Sequence, residues 1–331
     1  MQPISSSSAR HQVAPEEFDI GKFQPGSKST IALNLAPDAS DTELPVLLIK
    51  GKHKGATLVV TAGVHGDEFE GVRALLELYS ELDPVQMHGT LLAVPVANPQ
   101  AFWNATRVNP IDKANLARKF PGAKEGTVTE VIAFHLARSV IARADFFVDL
   151  HSAGVKLLMP PMVGYDQNDP RSVAAAMVFG APVLWGHSEI PPGRTISFAA
   201  SRKIPWLYTE ARGAGRIDAE DLLMFKRGVI NLLKHLGIVH GELDRHPVER
   251  VLVGSGDLDV GLSARQRGFL LPRVELLERV TCGQELGWTV NIYGETVEKF
   301  FSPRAGLVAM IHAFPIIEPE DVVFVVTDQL K

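Results

Sequence analysis

A single cysteine, Cys282, stands among the 331 residues. That leaves no intrachain disulfide framework and no Cys-rich zinc module, and it fits a reducing compartment, so a cytoplasmic protein is expected. Cys282 itself reads as a small, half-buried apolar residue. No run approaches the roughly 20 apolar residues that cross a bilayer, so no membrane association is expected. Residues 1–20 lack the apolar core of a signal peptide, and Ser5-Ser6-Ser7-Ser8 reads as a flexible terminus. Charge of one sign is also scarce: 33 Lys and Arg against 38 Asp and Glu give −5, evenly spread. There is no basic stripe for nucleic acid and no acidic tail. The glycines form neither a phosphate-binding loop nor a dinucleotide fingerprint, and Gly254-Ser255-Gly256 lacks the strand-to-helix setting of a nucleophile elbow. No internal repeat is present.

What remains is a chain that is 46% hydrophobic, enough for a substantial core in one large domain or two. Short β-branched runs at 45–49, 57–62, 90–96, 146–150, 182–185 and 206–209 read as strands. Between them, 68–82, 130–142, 170–180 and 219–236 carry helical apolar spacing. The alternation predicts an α/β domain over 45–245, its sheet covered by helices on both faces, after an N-terminal segment 1–44 that is partly flexible. Composition changes after Gly241, and from Val251 onward helical periodicity fades. Strands are expected at 269–277, 287–292, 296–301, 307–313 and 322–326, forming a smaller all-β domain over 246–331. Ser302-Pro303-Arg304-Ala305-Gly306 suggests the turn of a lipoyl-like barrel, but the hairpin near Gly294 has no Lys where a carrier domain would be modified, so no carrier role is expected.

Gly63-Val64-His65-Gly66-Asp67-Glu68 follows directly on the apolar run 57–62. A helix starting here would put His65 and Glu68, three apart, on one face, within reach of one metal ion. Hydrolytic zinc sites commonly use two His and one Glu and keep a position open for water. The third candidate is His151, where Val148-Asp149-Leu150-His151 ends a strand and a Gly-containing loop begins. In an extended strand Asp149 shares its face with His151. It either bonds the ligating imidazole and fixes its tautomer or bonds local backbone, and the sequence leaves both open. The other histidines (His11, His53, His88, His135, His187, His235, His240, His246 and His312) lie in helical patterns, turns or exposed stretches and are not expected to be ligands.

A polar segment from Asn98-Pro99 through Arg107, Asp112, Asn115 and Arg118 to Phe120-Pro121-Gly122 lies between the two halves of this set. Its two arginines could grip an anionic group or stabilise an oxyanion, or could be solvated loop charges. Farther on, Glu210 ends the apolar run Pro205-Trp206-Leu207 before a Gly-rich turn, where a carboxylate beside activated water could act as general base and acid.

Taken together and in order, these segments resemble the succinylglutamate desuccinylase/aspartoacylase family, a branch of the zinc carboxypeptidase-like hydrolases. The resemblance runs from about Pro45 to the C-terminus and rests on Gly63–Glu68, Asn98-Pro99, Arg107, Asn115-Leu116-Ala117-Arg118, Phe120-Pro121-Gly122, Asp149-Leu150-His151-Ser152 and Thr209-Glu210. It implies a zinc carboxypeptidase-like mixed sheet and one Zn2+ per chain, held by His65, Glu68 and His151. It implies Glu210 as catalytic carboxylate, Arg107 polarising the scissile carbonyl, Arg118 with Asn115 on the substrate, and a C-terminal β domain shaping access. One departure stands out: where the family shows Asn-Leu-Asn-Arg, this chain has Ala117, which cannot hydrogen-bond through its side chain. Around Arg107-Val108-Asn109-Pro110 and Gly126-Thr127-Val128-Thr129-Glu130 the chain is similar to bacterial N-acetyl-diaminobutyrate deacetylases.

The expected activity is metal-assisted hydrolysis of a small N-acylated amino acid or amine. The alternatives are a metallocarboxypeptidase on short peptides and a binding protein that kept the fold without catalysis. The acyl group, the amine, the metal loaded in the cell and homo-oligomerisation are left open.

Overall fold

In the computed structural model, which describes residues 10–35, 43–254 and 261–329, the chain is organised by one long mixed sheet. The serine tract Ser5–Ser8 and the Ser255-Gly256 pair lie outside the described residues. At the centre, the strands His88–Val94, His53–Ala62, Phe146–Leu150 and Trp206–Glu210 run parallel in that spatial order. Met162–Asp166 pairs antiparallel with Trp206–Glu210, and Val183–His187 and Arg250–Val253 continue beyond it in parallel.

Strand geometry explains why both faces are covered. Successive side chains point to opposite faces, so a strand apolar at every position must be buried on both. Leu58, Val60, Val148 and Leu207 pack on one side with Leu75, Leu78, Ala175, Phe225, Val229 and Leu232. These come from the helices Glu70–Glu81, Pro170–Phe179 and Ala219–His235. Their neighbours Val59, Phe147 and Trp206 pack on the other side with Ile132, Ala137, Ile196 and Ala199. The helix Val128–His135 on that side opens with a capping box, Thr127 and Glu130 each satisfying the other's backbone N–H, and runs on into a wider turn over Leu136–Val140.

Several expected boundaries move. The helix expected from residue 68 begins at Glu70, which leaves Glu68 in the preceding turn. Part of the N-terminal segment is structured: Ser27–Asn34 pairs antiparallel with Glu43–Lys50 and buries Ile31 and Leu33. Its polar start, Ser27-Lys28-Ser29-Thr30, hid that strand from a pattern search. Cys282, expected half-buried, is exposed.

The C-terminal part is β throughout, but it does not begin as a separate sheet. Arg250–Val253 joins Val183–His187 on one side and Val322–Gln329 on the other, so the main sheet continues into Gly306–His312. Only Thr296–Phe301, Glu285–Val290, Gly268–Pro272 and Ile316–Ile317 form an independent four-stranded antiparallel sheet. Its core is a separate cluster around Leu286, Phe300 and Phe324. Among the described residues, no helix is long and apolar enough to cross a membrane.

Candidate metal centre and active site

Three neighbouring parallel strands deliver the chemistry because their C-terminal ends lie at one edge of the sheet. His53–Ala62 leads into the turn with His65 and Glu68, Phe146–Leu150 leads to His151, and Trp206–Glu210 ends on Glu210. Parallel strands from separate segments place the loops after them side by side, which is where open α/β sheets gather ligands.

The first turn is shaped by backbone rather than by a helix. Gly63 takes a left-handed conformation at φ +62, and at Gly66 a Cβ would fall 2.0 Å from the carbonyl carbon of Ala101. Only glycine permits that approach. The fold-back brings His65 Nδ1 to 2.7 Å from Glu68 Oε1, and the other carboxylate oxygen lies 2.8 Å from His151 Nδ1. The backbone N–H of Ser152 donates to Glu68 Oε2 at 3.2 Å, and Arg107 Nη1 donates to Oε1 at 3.2 Å. Glu68 is 3% exposed and His65 4%. Burial pushes the Glu68 carboxyl up, but the facing imidazoles overcome it and hold the group well below the usual carboxylate range. Burial, aided by Arg107, depresses His65 to about 4, which leaves its ring neutral. Burial works against protonation of His151 too, but Asp149 and Glu68 outweigh it and raise that imidazole well above its ordinary value.

One donor atom from each of His65, Glu68 and His151 lies within 4.8 Å of the other two. Two imidazoles and a carboxylate, converging, with His65 and Glu68 buried and His151 partly so, form a donor set suited to a divalent ion of zinc type. Beside them Glu210 Oε2 is buried and finds no hydrogen-bond partner among the described residues. Burial, then the negative charge of Glu68, pushes the Glu210 carboxyl up to about 8. A buried carboxylate oxygen without a protein donor is costly unless something else in the site satisfies it. The residues present therefore fit a bound cation and the water it carries.

Behind the donors, His151 Nε2 lies 3.0 Å from Asp149 Oδ2. Asp149, 1% exposed, also accepts from Thr61 Oγ1 at 2.6 Å and from the Thr195 hydroxyl. Of the two settings open for Asp149, the structure shows the imidazole contact. Asn115 Oδ1 lies 3.2 Å from His65 Nε2 and accepts the Ala117 N–H at 2.9 Å. It thus caps the short turn Leu116–Arg118 from behind His65.

The cavity in front of the donors, about 90 Å³, is lined by Arg107, Arg118, Ala117 and Glu210 and also by residues the sequence reading passed over. Arg194 and Thr195 open the helix Thr195–Ser201. Pro191-Pro192-Gly193 ahead of them is the same Pro- and Gly-punctuated setting that drew attention to Arg107 and would have flagged Arg194. Tyr208 lines the wall two residues before Glu210, where strand period alone places it on that face. His187 was expected in an exposed stretch. It ends the strand Val183–His187, is 2% exposed and lines the cavity as well. Met159 on the cavity wall packs in one cluster with Leu307, Ala309 and Met310 of the C-terminal strands.

Comparison with known proteins gives a consistent result. Residues 54–236 match the model of the succinylglutamate desuccinylase/aspartoacylase catalytic domain. The chain is 32% identical over 275 residues, 80% of each protein, to an N-alpha-acetyl-L-2,4-diaminobutyric acid deacetylase of Halomonas elongata. A solved succinylglutamate desuccinylase from Silicibacter superposes with a TM-score of 0.82 at 28% identity, covering 92% of this chain and 95% of that one. The product-bound ectoine utilization protein EutE (DoeB) of Ruegeria pomeroyi also gives 0.82, at 30% identity over 91% and 95% of the two chains.

Proposed function

Because this chain belongs to the succinylglutamate desuccinylase/aspartoacylase family, we propose that it is a zinc-dependent amidohydrolase that removes an acyl group from a small N-acyl amino acid. The observation carrying this reading is Glu210 Oε2, buried and without a hydrogen-bond partner among the described residues, beside the converging donors His65, Glu68 and His151. The deacetylase of Halomonas elongata supports an N-acetylated amino acid as the substrate class.

His65, Glu68 and His151 would hold the ion, which when bound supplies Lewis acidity and lowers the pKa of water towards about 7. Glu210 takes a proton from the attacking water and returns it to the departing nitrogen, so the C–N bond breaks as a carboxylic acid and an amine form. Arg107 spends one N–H on Glu68 and keeps others for the carbonyl oxygen as negative charge develops there. Arg118, on the cavity wall, pairs with the substrate carboxylate. Ala117 beside it offers only a methyl group, so this chain binds that carboxylate without a side-chain amide at the position.

Glu210→Gln removes the proton acceptor and leaves the donors intact. We expect zinc content equal to wild type and turnover of N-acetyl amino acids lowered by at least about 100-fold. Turnover within about three-fold of wild type would remove Glu210 from the mechanism.

A further inference from the structure

Thr195 stands where two parts of the site meet. Its hydroxyl donates to Asp149 Oδ2, the same oxygen that lies 3.0 Å from His151 Nε2. Thr61 Oγ1 donates to the other oxygen, Oδ1, at 2.6 Å. Asp149, Thr61 and Thr195 are all buried. A carboxylate turns easily about its last bond unless both oxygens are held. Here one hydroxyl on each oxygen fixes its plane, and that plane sets the direction of the His151 ring.

The other part is the cavity wall. Thr195 opens the helix Thr195–Ser201, whose Ile196 and Ala199 pack in the core with Phe147 and Trp206. Ahead of it Gly193 takes a left-handed conformation at φ +89, and a Cβ there would fall 2.7 Å from the Arg118 carbonyl oxygen. Gly193 O also accepts the Phe120 N–H at 3.0 Å. The segment bearing Arg194 is thus seated on the segment bearing Arg118, whose turn is capped by Asn115 behind His65. These contacts close a ring. It runs from His151 through Asp149 and Thr195 to Gly193, across to Phe120, back through Asn115 to His65, and through Glu68 to His151. His65, Arg118, His151, Arg194 and Thr195 all line the cavity.

We propose that Thr195 is a positioning residue that locks this wall to the metal centre, so that ion binding at His151 and ordering of the Thr195–Ser201 helix favour each other. The coupling is reciprocal by linkage: whatever the tether adds to metal affinity, the metal returns to the tether. Thr195 acts on His151 through Asp149. The proposal rests on the zinc reading for the identity of the ion, and it is tested without turnover.

Zinc affinity by chelator competition and backbone hydrogen exchange should be measured for wild type, Thr195→Val and Thr195→Ser. Valine keeps the branched shape and removes the donor; serine keeps the donor. Thr195→Val should bind zinc about ten-fold more weakly, and Thr195→Ser within about two-fold of wild type. In wild type, stripping zinc should speed exchange at residues 196–201 at least about three-fold more than in the helix Ala219–His235, which reports the global effect of the ion. In Thr195→Val the two helices should respond to zinc alike. A packing role alone would loosen the helix without changing its response to zinc, and serine would not rescue it. Zinc affinity within about two-fold of wild type in Thr195→Val, or no rescue by serine, overturns the proposal. So does a wild-type helix that responds to zinc no more than Ala219–His235, and this arm decides the matter even where Thr195→Val does not fold. If wild type takes up no zinc, this proposal and the amidohydrolase reading fall together. If affinities and exchange behave as expected but no N-acetyl amino acid is hydrolysed, the amidohydrolase reading fails and this inference stands.

Discussion

Asp149 shows how much a single side chain holds in this site. It is a buried acceptor for two hydroxyls and an imidazole at once, drawn from the His53–Ala62 strand, the start of the Thr195–Ser201 helix and its own strand end. Burial alone would push its carboxyl up, but His151 and the hydroxyl donors leave it lowered. Asp149→Asn keeps the shape and replaces one acceptor oxygen with an N–H2 that faces donors. Changes to the group that orients a ligating histidine typically cost 10- to 100-fold in metal affinity. That loss is expected here, read by competition with a zinc chelator, and unaltered affinity would reduce Asp149 to a strand-end residue. The chemistry of these residues was legible from their types and order. Their partners were not: Glu68 and His151 are 83 positions apart, and no local pattern reports a contact of that kind.

Between the elements, the turn after the His53–Ala62 strand decides whether His65 and Glu68 converge. Helical spacing suggested the pair, but the helix starts at Glu70, and glycine-dependent backbone contacts do the work instead. Gly66 also donates its N–H to Thr106 O at 3.0 Å, which ties the metal turn to the loop bearing Arg107. In Gly66→Ala the added methyl meets the Ala101 backbone, which has no flexible end to move aside. Overpacking of this kind costs about 1–3 kcal/mol. Denaturant unfolding should show that loss, and zinc stoichiometry should fall with it. A variant with wild-type stability and zinc content would contradict the packing argument. Strands such as Phe146–Leu150 and Thr296–Phe301 were readable because their composition and period are local. The Ser27–Asn34 strand and the buried position of His187 were not, since both depend on what lies across the sheet.

Across the whole molecule, the proposed ion would bridge chain segments that meet only in the folded state, His65 and Glu68 with His151. A ligand that binds the native state alone stabilises it by about 4 kcal/mol when present at a thousand times its Kd. Chelator-treated protein is therefore expected to melt several degrees lower than zinc-loaded protein and to recover on zinc addition. In His65→Ala the difference should nearly vanish. Equal melting temperatures for the loaded and stripped wild type would argue against a site that spans these segments. The C-terminal strands belong to this scale too, because Arg250–Val253 stitches them to the main sheet. Through the Gly254 carbonyl that strand end reaches His187, and Leu307, Ala309 and Met310 pack in one cluster with Met159 of the cavity wall.

The sequence by itself determined the α/β alternation, the donor types His65, Glu68 and His151, the carboxylate Glu210 and the methyl group of Ala117. Those are properties of neighbouring residues, and hydrophobic period and side-chain chemistry are local. Tertiary structure alone decided that three strand ends share one edge, that Asn115 stands behind His65, and that His187 meets the Tyr208 hydroxyl on the cavity wall. Each of these depends on burial and on hydrogen-bond partners from distant segments, and such partners exist only once the sheet has assembled.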